Sequence, residues 1–115
     1  MNLDRQRERL EALRAHLLRR NRAVERDLSN EGEPMDPDPE EQALRIENDE
    51  VLQALLEQGE AELPLVENAL RRLEAGEYTT CEDCGNPIGD ERLAAIPYAT
   101  TCVECARARE RRARD

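Results

Sequence analysis

The four cysteines constrain the fold more than any other feature of this sequence. They form two C-x-x-C pairs, Cys81 with Cys84 and Cys102 with Cys105, and seventeen residues separate the pairs. Two such pairs at this spacing can place four thiolates around one Zn²⁺ at about 2.3 Å. Because thiolate then occupies every position, no site remains for water. The sequence therefore predicts one structural zinc ion rather than a catalytic one.

Structural disulfides and a redox pair are alternative uses of paired cysteines. Disulfides need an oxidising compartment, and the N-terminal sequence MNLDRQRERLEALR lacks the apolar segment of a secretory signal. A redox C-x-x-C pair normally belongs to a larger α/β domain and would not need a second copy. His16 is far in sequence from the cysteines, so we expect a surface histidine there rather than a ligand. These arguments favour zinc.

The composition excludes a large globular core and a membrane span. The 115 residues include no Trp, no Phe and two Tyr, while 38% are charged. Such a composition is typical of solvated helices that each carry a narrow apolar stripe. No apolar run approaches the roughly 20 residues that a membrane span needs. We therefore expect a mainly α, cytoplasmic protein with no membrane partner.

Two apolar stripes predict an antiparallel helical hairpin. The first recurs every seven residues and predicts a helix over 3–28, with a coiled-coil seam made by Leu3, Leu10, Leu17 and Val24. The second predicts a helix that begins at about Glu40, and its stripe comprises Leu52, Leu56, Leu63, Val66, Leu70 and Leu73. Gly76 follows this helix as its expected C′ residue. The second stripe continues through Gly59 and Pro64, so we expect a kink at Pro64 rather than a break.

The expected domains are a helical hairpin over 1–77 and a C4 zinc finger with a short C-terminal helix over 78–115. An acidic tip at 29–41 joins the two long helices, and its segment 35–42 reads MDPDPEEQ. The formal net charge is −10, and residues 31–77 hold fifteen acids against three Arg. Nucleic-acid phosphates would be repelled by this region. A zinc-stabilised adaptor with a merely solvated tip is an alternative interpretation.

Two further functional classes have weaker support. A nucleic-acid-binding zinc finger needs a basic recognition face, but residues 82–101 contain Arg92 alone against four acids. An enzyme needs a nucleophile paired with a base, a phosphate-binding loop or paired acids in a cavity, and the sequence shows none of these patterns. We therefore expect neither catalysis nor direct sequence-specific DNA binding.

The stretch ALRRLEAGEYTTCEDCGNPIGDERLAAIPYATTCVEC, residues 69–105, closely resembles the DksA/TraR family of bacterial zinc-finger regulators. The matching features are Gly76-x-Tyr78, Cys81-x-x-Cys84-Gly85, Pro87-Ile88-Gly89, Arg92-Leu93-x-Ala95-x-Pro97-x-Ala99 and Cys102-x-x-Cys105. The upstream hairpin also fits this family. The extra N-terminal segment of full-length members has no counterpart in this sequence, so we expect a short member of the family.

The resemblance implies a regulator that binds RNA polymerase rather than DNA. Family members pass the coiled coil down the secondary channel, where acidic tip residues approach the catalytic centre. Asp38 and Glu41 match the family tip pattern, with Glu in place of Asp at the second position, and Asp36 is an alternative to Asp38. Full-length family members use basic residues in the corresponding region to help bind guanosine tetraphosphate. Residues 46–70 contain no Arg or Lys, so we expect no such site here. The five Arg of 106–115 form either a solvated helix or a helix that docks on polymerase. We expect a monomer.

Overall fold

Four helices make up most of the structure, a computed structural model that describes residues 1–29 and 38–114. In chain order they are α1 Leu3–Ser29, α2 Pro39–Glu74, α3 Asp90–Ala95 and α4 Val103–Arg114. Helices α1 and α2 form an antiparallel hairpin, α3 lies between the two cysteine pairs, and α4 follows the second pair. The predicted fold class, a mainly α chain with a hairpin, a C4 cluster and a C-terminal helix, is confirmed. The domain boundary at 77/78 stays a prediction.

The sequence at the start of α2 explains why a helix begins there. The side-chain Oδ1 of Asp38 accepts a hydrogen bond from the backbone N–H of Glu40 at 3.0 Å, which makes Asp38 the N-cap. Pro39 is the first helical residue, where a missing N–H costs nothing. Glu40 and Glu41 lie in the first turn, where carboxylates interact favourably with the helix dipole. The run Asp-Pro-Glu-Glu is thus a helix start as well as an acidic segment.

The C-terminal end of α2 is a Schellman motif around Gly76. The N–H of Glu77 donates to the carbonyl of Arg72 at 2.9 Å, and the N–H of Gly76 donates to that of Leu73 at 3.2 Å. Gly76 has φ +74°, a left-handed conformation that side chains disfavour. The predicted C′ role of Gly76 is therefore confirmed. Helix α2 also continues through Pro64 without a break, as expected.

The described chain divides into two compact units. The hairpin unit is Ala15–Pro64, and the finger unit is Met1–Arg14 together with Leu65–Asp115. In the hairpin unit, one side of each helix is buried, and its most buried members are Leu17, Asn21, Val24, Leu56 and Gly59. None of the described helices combines the length and the apolar character needed to cross a membrane.

Gly59 marks a close approach of α1 and α2 within the hairpin unit. A Cβ atom added at Gly59 would lie 2.1 Å from Oδ1 of Asn21, far inside van der Waals contact. Asn21 is only 8% exposed, and in the described part of the chain its Oδ1 has no hydrogen-bond partner. The hairpin therefore contains a buried amide oxygen packed against bare backbone.

Tyr78 organises the core of the finger unit. Its hydroxyl donates to the carbonyl of Pro97 at 2.7 Å and accepts from Nε2 of Gln6 at 3.0 Å, and Gln6 also donates to the carbonyl of Leu93 at 3.2 Å. Burial raises the pKa of Tyr78. The other buried apolar side chains of this unit come from α1, α2, α3 and the loops, and they include Leu10, Val66, Ala69, Leu73, Ile88, Leu93 and Ala99. This core holds the start of α1 against the loops that carry the cysteines.

Candidate metal centre

The first cysteine pair lies in a tight loop between two short extended segments. Thr80 and Pro87 form an isolated antiparallel bridge, and inside it the N–H of Cys81 donates to the carbonyl of Asn86 at 2.8 Å. The N–H of Gly85 then donates back to the carbonyl of Cys81 at 3.0 Å. Gly85 has φ +76°, which a residue with a side chain rarely adopts. Local backbone hydrogen bonds thus turn Cys81 and Cys84 toward the same side.

The second cysteine pair lies at the beginning of α4. Cys102 immediately precedes the helix, and its carbonyl accepts from the N–H of Ala106 at 2.9 Å. Cys105 is in the first turn of α4. The N–H of Cys102 also donates to Sγ of Cys81 at 3.4 Å, which joins the two pairs.

All four predicted ligands come together in the structure. Their sulfur atoms all lie within 4.8 Å of one another, and Sγ of Cys84 is 3.9 Å from Sγ of Cys102. Four thiolates about 2.3 Å from a central zinc ion would be separated by ~3.8 Å, the edge of that tetrahedron. The spacing and the donor set therefore fit one structural Zn²⁺.

The surroundings of the cluster shift the pKa values of Cys81 and Cys105 in opposite directions. Burial disfavours the Cys81 thiolate, but backbone N–H groups of Cys102, Cys84 and Asp83 outweigh it and lower the pKa of Cys81 to about 6. Cys105 shows the opposite effect: hydrogen bonding with the Cys102 thiol, followed by burial, raises its pKa. The first thiolate formed makes the next one costly. A divalent cation removes this cost, because it attracts all four thiolates.

A charged cluster that no sequence pattern predicts borders the first cysteine pair. Arg109 of α4 donates from Nε to Oδ2 of Asp83 at 2.7 Å, and from Nη2 to Oδ1 of Asp83 at 2.5 Å and to Oε1 of Glu82 at 2.9 Å. The Arg109 hydrogen bond lowers the pKa of Asp83, and the two carboxylates raise that of Arg109. Cys105 and Arg109 are four residues apart on one helix, the spacing that places side chains on one face. This spacing indicates that Arg109 lies on the same face of α4 as Cys105, but it does not indicate which carboxylates Arg109 contacts.

Two further arginines hold the loops beside the thiols through backbone carbonyls. Arg72 donates from Nη2 to the carbonyls of Glu77 at 2.9 Å and Thr80 at 2.5 Å. Arg92 donates from Nε to the carbonyl of Thr101 at 2.6 Å. Each guanidinium therefore fixes the segment that leads directly into a cysteine pair.

The acidic tip residues expected from the sequence are described only in part. Asp38 and Glu41 are exposed at the start of α2, and Asp36 lies outside the described residues. His16 is exposed, as expected, and takes no part in the thiol cluster.

Family models match both halves of the chain. Residues 76–111 match the prokaryotic dksA/traR C4-type zinc finger, and residues 6–73 match the DnaK suppressor protein-like N-terminal domain. Together these matches extend over the hairpin and all four cysteines. The resemblance stated from the sequence is therefore confirmed.

Curated relatives match over shorter regions. The chain is 51% identical over 49 residues to the RNA polymerase-binding transcription factor DksA of Caulobacter vibrioides, a match that covers 43% of this chain and 34% of the relative. It is 40% identical over 40 residues to the protein of the same name from Escherichia coli, covering 35% of this chain and 26% of the relative. The matched regions are thus about a third of these relatives or less.

Solved structures are similar over nearly the whole chain. Transcription factor DksA2 from Pseudomonas aeruginosa gives a TM-score of 0.83 at 33% identity, covering 98% of this chain and 86% of that one. The DnaK suppressor protein from Agrobacterium tumefaciens gives 0.62 at 38% identity, covering 94% of each chain.

Proposed function

The chain belongs to the dksA/traR family of C4-type zinc-finger proteins, and from this membership we propose that it is a transcription regulator that binds RNA polymerase. The main support is the similarity of nearly the whole chain to the transcription factor DksA2, which extends through both the hairpin and the finger. A regulator of this kind acts by binding rather than by catalysis. Its partner would place it in the cytoplasm.

The zinc ligands in this proposal are Cys81, Cys84, Cys102 and Cys105. Their support is the sulfur cluster, which has the donor type and spacing of a closed structural site. When bound, zinc cross-links four thiolates and stabilises the folded finger. The finger in turn positions Tyr78, whose hydrogen bonds connect α1 to the loops of the finger.

The hairpin supplies the regulatory residues of the proposal. Asp38 and Glu41 would approach the polymerase catalytic centre through the secondary channel, with Asp36 as an alternative to Asp38. Both described carboxylates are exposed, and α2 carries many further acids. A catalytic centre with bound Mg²⁺ and basic nucleotide-handling residues provides the complementary charge. We further propose a monomer with no direct sequence-specific DNA contact and no guanosine tetraphosphate site in α2.

The test is a pull-down of core RNA polymerase followed by an in vitro initiation assay, with the wild-type chain and with Asp38→Asn. We expect both proteins to retain polymerase, because most of the binding surface is unchanged, and only the wild type to change initiation. Asn is also a good N-cap, so the substitution removes charge without removing the cap. A wild-type chain that retains no polymerase would leave the zinc-stabilised adaptor as the better interpretation.

A further inference from the structure

The two segments that the cysteines join are also joined by charged side chains. Cys81 and Cys84 flank Glu82 and Asp83 in the first loop, and Arg109 lies one helical turn beyond Cys105 on α4. Three hydrogen bonds of 2.5–2.9 Å connect this guanidinium to the two carboxylates. We call Glu82, Asp83 and Arg109 the Arg109 clasp.

The carboxylate side of the clasp is itself held in place. Oε1 of Glu82 also accepts from the hydroxyl of Thr100 at 3.0 Å, and the N–H of Glu82 donates to the carbonyl of Thr100 at 2.9 Å. Arg72 of α2 lies 3.9 Å from the other Glu82 oxygen. Glu82 therefore connects the first cysteine loop to the segment before Cys102 and to α2. When Arg109 binds Glu82 and Asp83, α4 is attached to this same frame.

The hydrogen bonds of the clasp have the geometry of a strong arginine–carboxylate pair. The guanidinium contacts both oxygens of Asp83, a bidentate arrangement that fixes orientation as well as distance. The side chains of Arg109 and Asp83 are 47% and 28% exposed, so the pair is screened by solvent and contributes little to global stability. Its effect should instead be local, on how α4 positions Cys105.

We propose that the Arg109 clasp preorganises the C4 site and so determines how tightly the chain retains zinc. The inference rests on the four cysteines being the zinc ligands, but it requires nothing of polymerase binding. Arg109 and Asp83 are positioning residues here, since neither provides a ligand atom. Groups that hydrogen-bond to metal ligands typically change metal affinity by about 10- to 100-fold when they are removed. The clasp acts one step further out, through the residues between the ligands, so we expect the lower end of that range.

A simple charge effect and a positioning effect predict different results. Arg109→Gln removes a positive charge and Asp83→Asn removes a negative one, so a pure charge effect must change zinc affinity in opposite directions. Loss of the clasp, in contrast, weakens zinc binding in both variants. The double variant should then be no worse than either single one, because both substitutions break the same contact.

The experiment is competition for zinc between each full-length protein and a chromogenic chelator, followed by absorbance. We expect Arg109→Gln and Asp83→Asn each to lower the zinc affinity about 10-fold, and Arg109→Lys to lower it less because one hydrogen bond can re-form. Arg111→Gln is the control, since it removes the same charge from α4 without touching the clasp. Circular dichroism of the zinc-loaded proteins checks that all of them fold.

The possible results distinguish the clasp from a general effect of charge. Opposite changes in the two single variants, or the same loss in Arg111→Gln, would mean that net charge alone acts and would overturn the clasp. Unchanged affinity in both single variants would also overturn it. A wild-type chain that binds no zinc would instead contradict the assignment of the four cysteines as zinc ligands. Failure of the clasp and failure of the zinc site can therefore be told apart.

Discussion

Asp38 has two roles that one substitution can separate. It is the N-cap of α2 through its bond to the N–H of Glu40, and it is an exposed carboxylate in the proposed tip. An alanine at this position would remove both the cap and the charge, whereas asparagine removes the charge and keeps a capping oxygen. Glu41 is simpler, because its carboxylate is exposed in the first turn. Effects of charge on function can thus be measured without a large effect on folding.

We predict that Asp38→Asn combined with Glu41→Gln changes the free energy of unfolding by less than about 1 kcal/mol, since both sites are exposed. The same protein should lose or invert its effect on an in vitro initiation reaction. Urea denaturation and a single-round transcription assay provide the two measurements. Asp38→Ala is the comparison that should destabilise the protein through loss of the cap, by about 1 kcal/mol. Wild-type regulation by the double variant would make the tip an ordinary solvated segment.

Within the hairpin unit, the contact between α1 and α2 leaves no room for a side chain at Gly59 while Asn21 keeps its position. Glycine in a helix interior costs about 1 kcal/mol relative to alanine, so its presence needs a reason. The reason is Asn21, whose buried oxygen occupies the space that a Cβ atom would need. Asn21 and Gly59 are therefore complementary in the contact between the two helices.

Gly59→Ala should lower the free energy of unfolding by about 1–3 kcal/mol, because the overlap with Asn21 exceeds the gain in helix propensity. In an Asn21→Ala background the same substitution should stabilise the protein by up to about 1 kcal/mol, because the overlap is gone. A double-mutant cycle in urea measures this coupling. Gln58→Ala, at the exposed neighbouring position, controls for propensity. Equal effects of Gly59→Ala in both backgrounds would show that Asn21 is not the obstacle.

The apolar stripes allow a second test of helix packing. Leu17 is 1% exposed and Val66 is fully buried, so Leu17→Ala and Val66→Ala should each destabilise the protein by roughly 1–4 kcal/mol. Leu44→Ala is the matched control, because Leu44 is 64% exposed and its truncation should cost less than about 0.5 kcal/mol. Thermal or urea unfolding of the three variants measures these differences in stability. Similar stability of all three would mean that the stripes do not form the core.

Loss of zinc should destabilise the finger unit much more than the hairpin unit. All four cysteines belong to the finger unit, whereas the hairpin unit contains none. Most of the helical content also lies outside the metal site, since α1 and α2 have 27 and 36 residues while α3 and α4 have 6 and 12. Metal binding and folding are coupled where the apolar core is small.

We therefore predict about one zinc per chain by elemental analysis and partial unfolding on chelation. Far-UV circular dichroism should retain most of its helical signal, while amide exchange should become fast in the loops around Cys81 and Cys102. Hydrogen exchange read out by mass spectrometry on zinc-loaded and chelated protein locates the change. Full protection of these loops without metal would show that the finger folds without zinc.

Periodicity and spacing predicted the hairpin, the C′ glycine and the cysteine cluster, because each depends on residues close in sequence or on a repeated pattern. Heptad spacing determines which face of a helix is apolar, and two C-x-x-C pairs with an intervening loop can close around a metal wherever the loop runs. The Arg109 clasp and the contact between Asn21 and Gly59 were not predicted. They join residues 26 and 38 positions apart. A pattern along the sequence does not show which side chains so far apart will be in contact. Only packing of α4 against the first cysteine loop, and of α1 against α2, brings these atoms together.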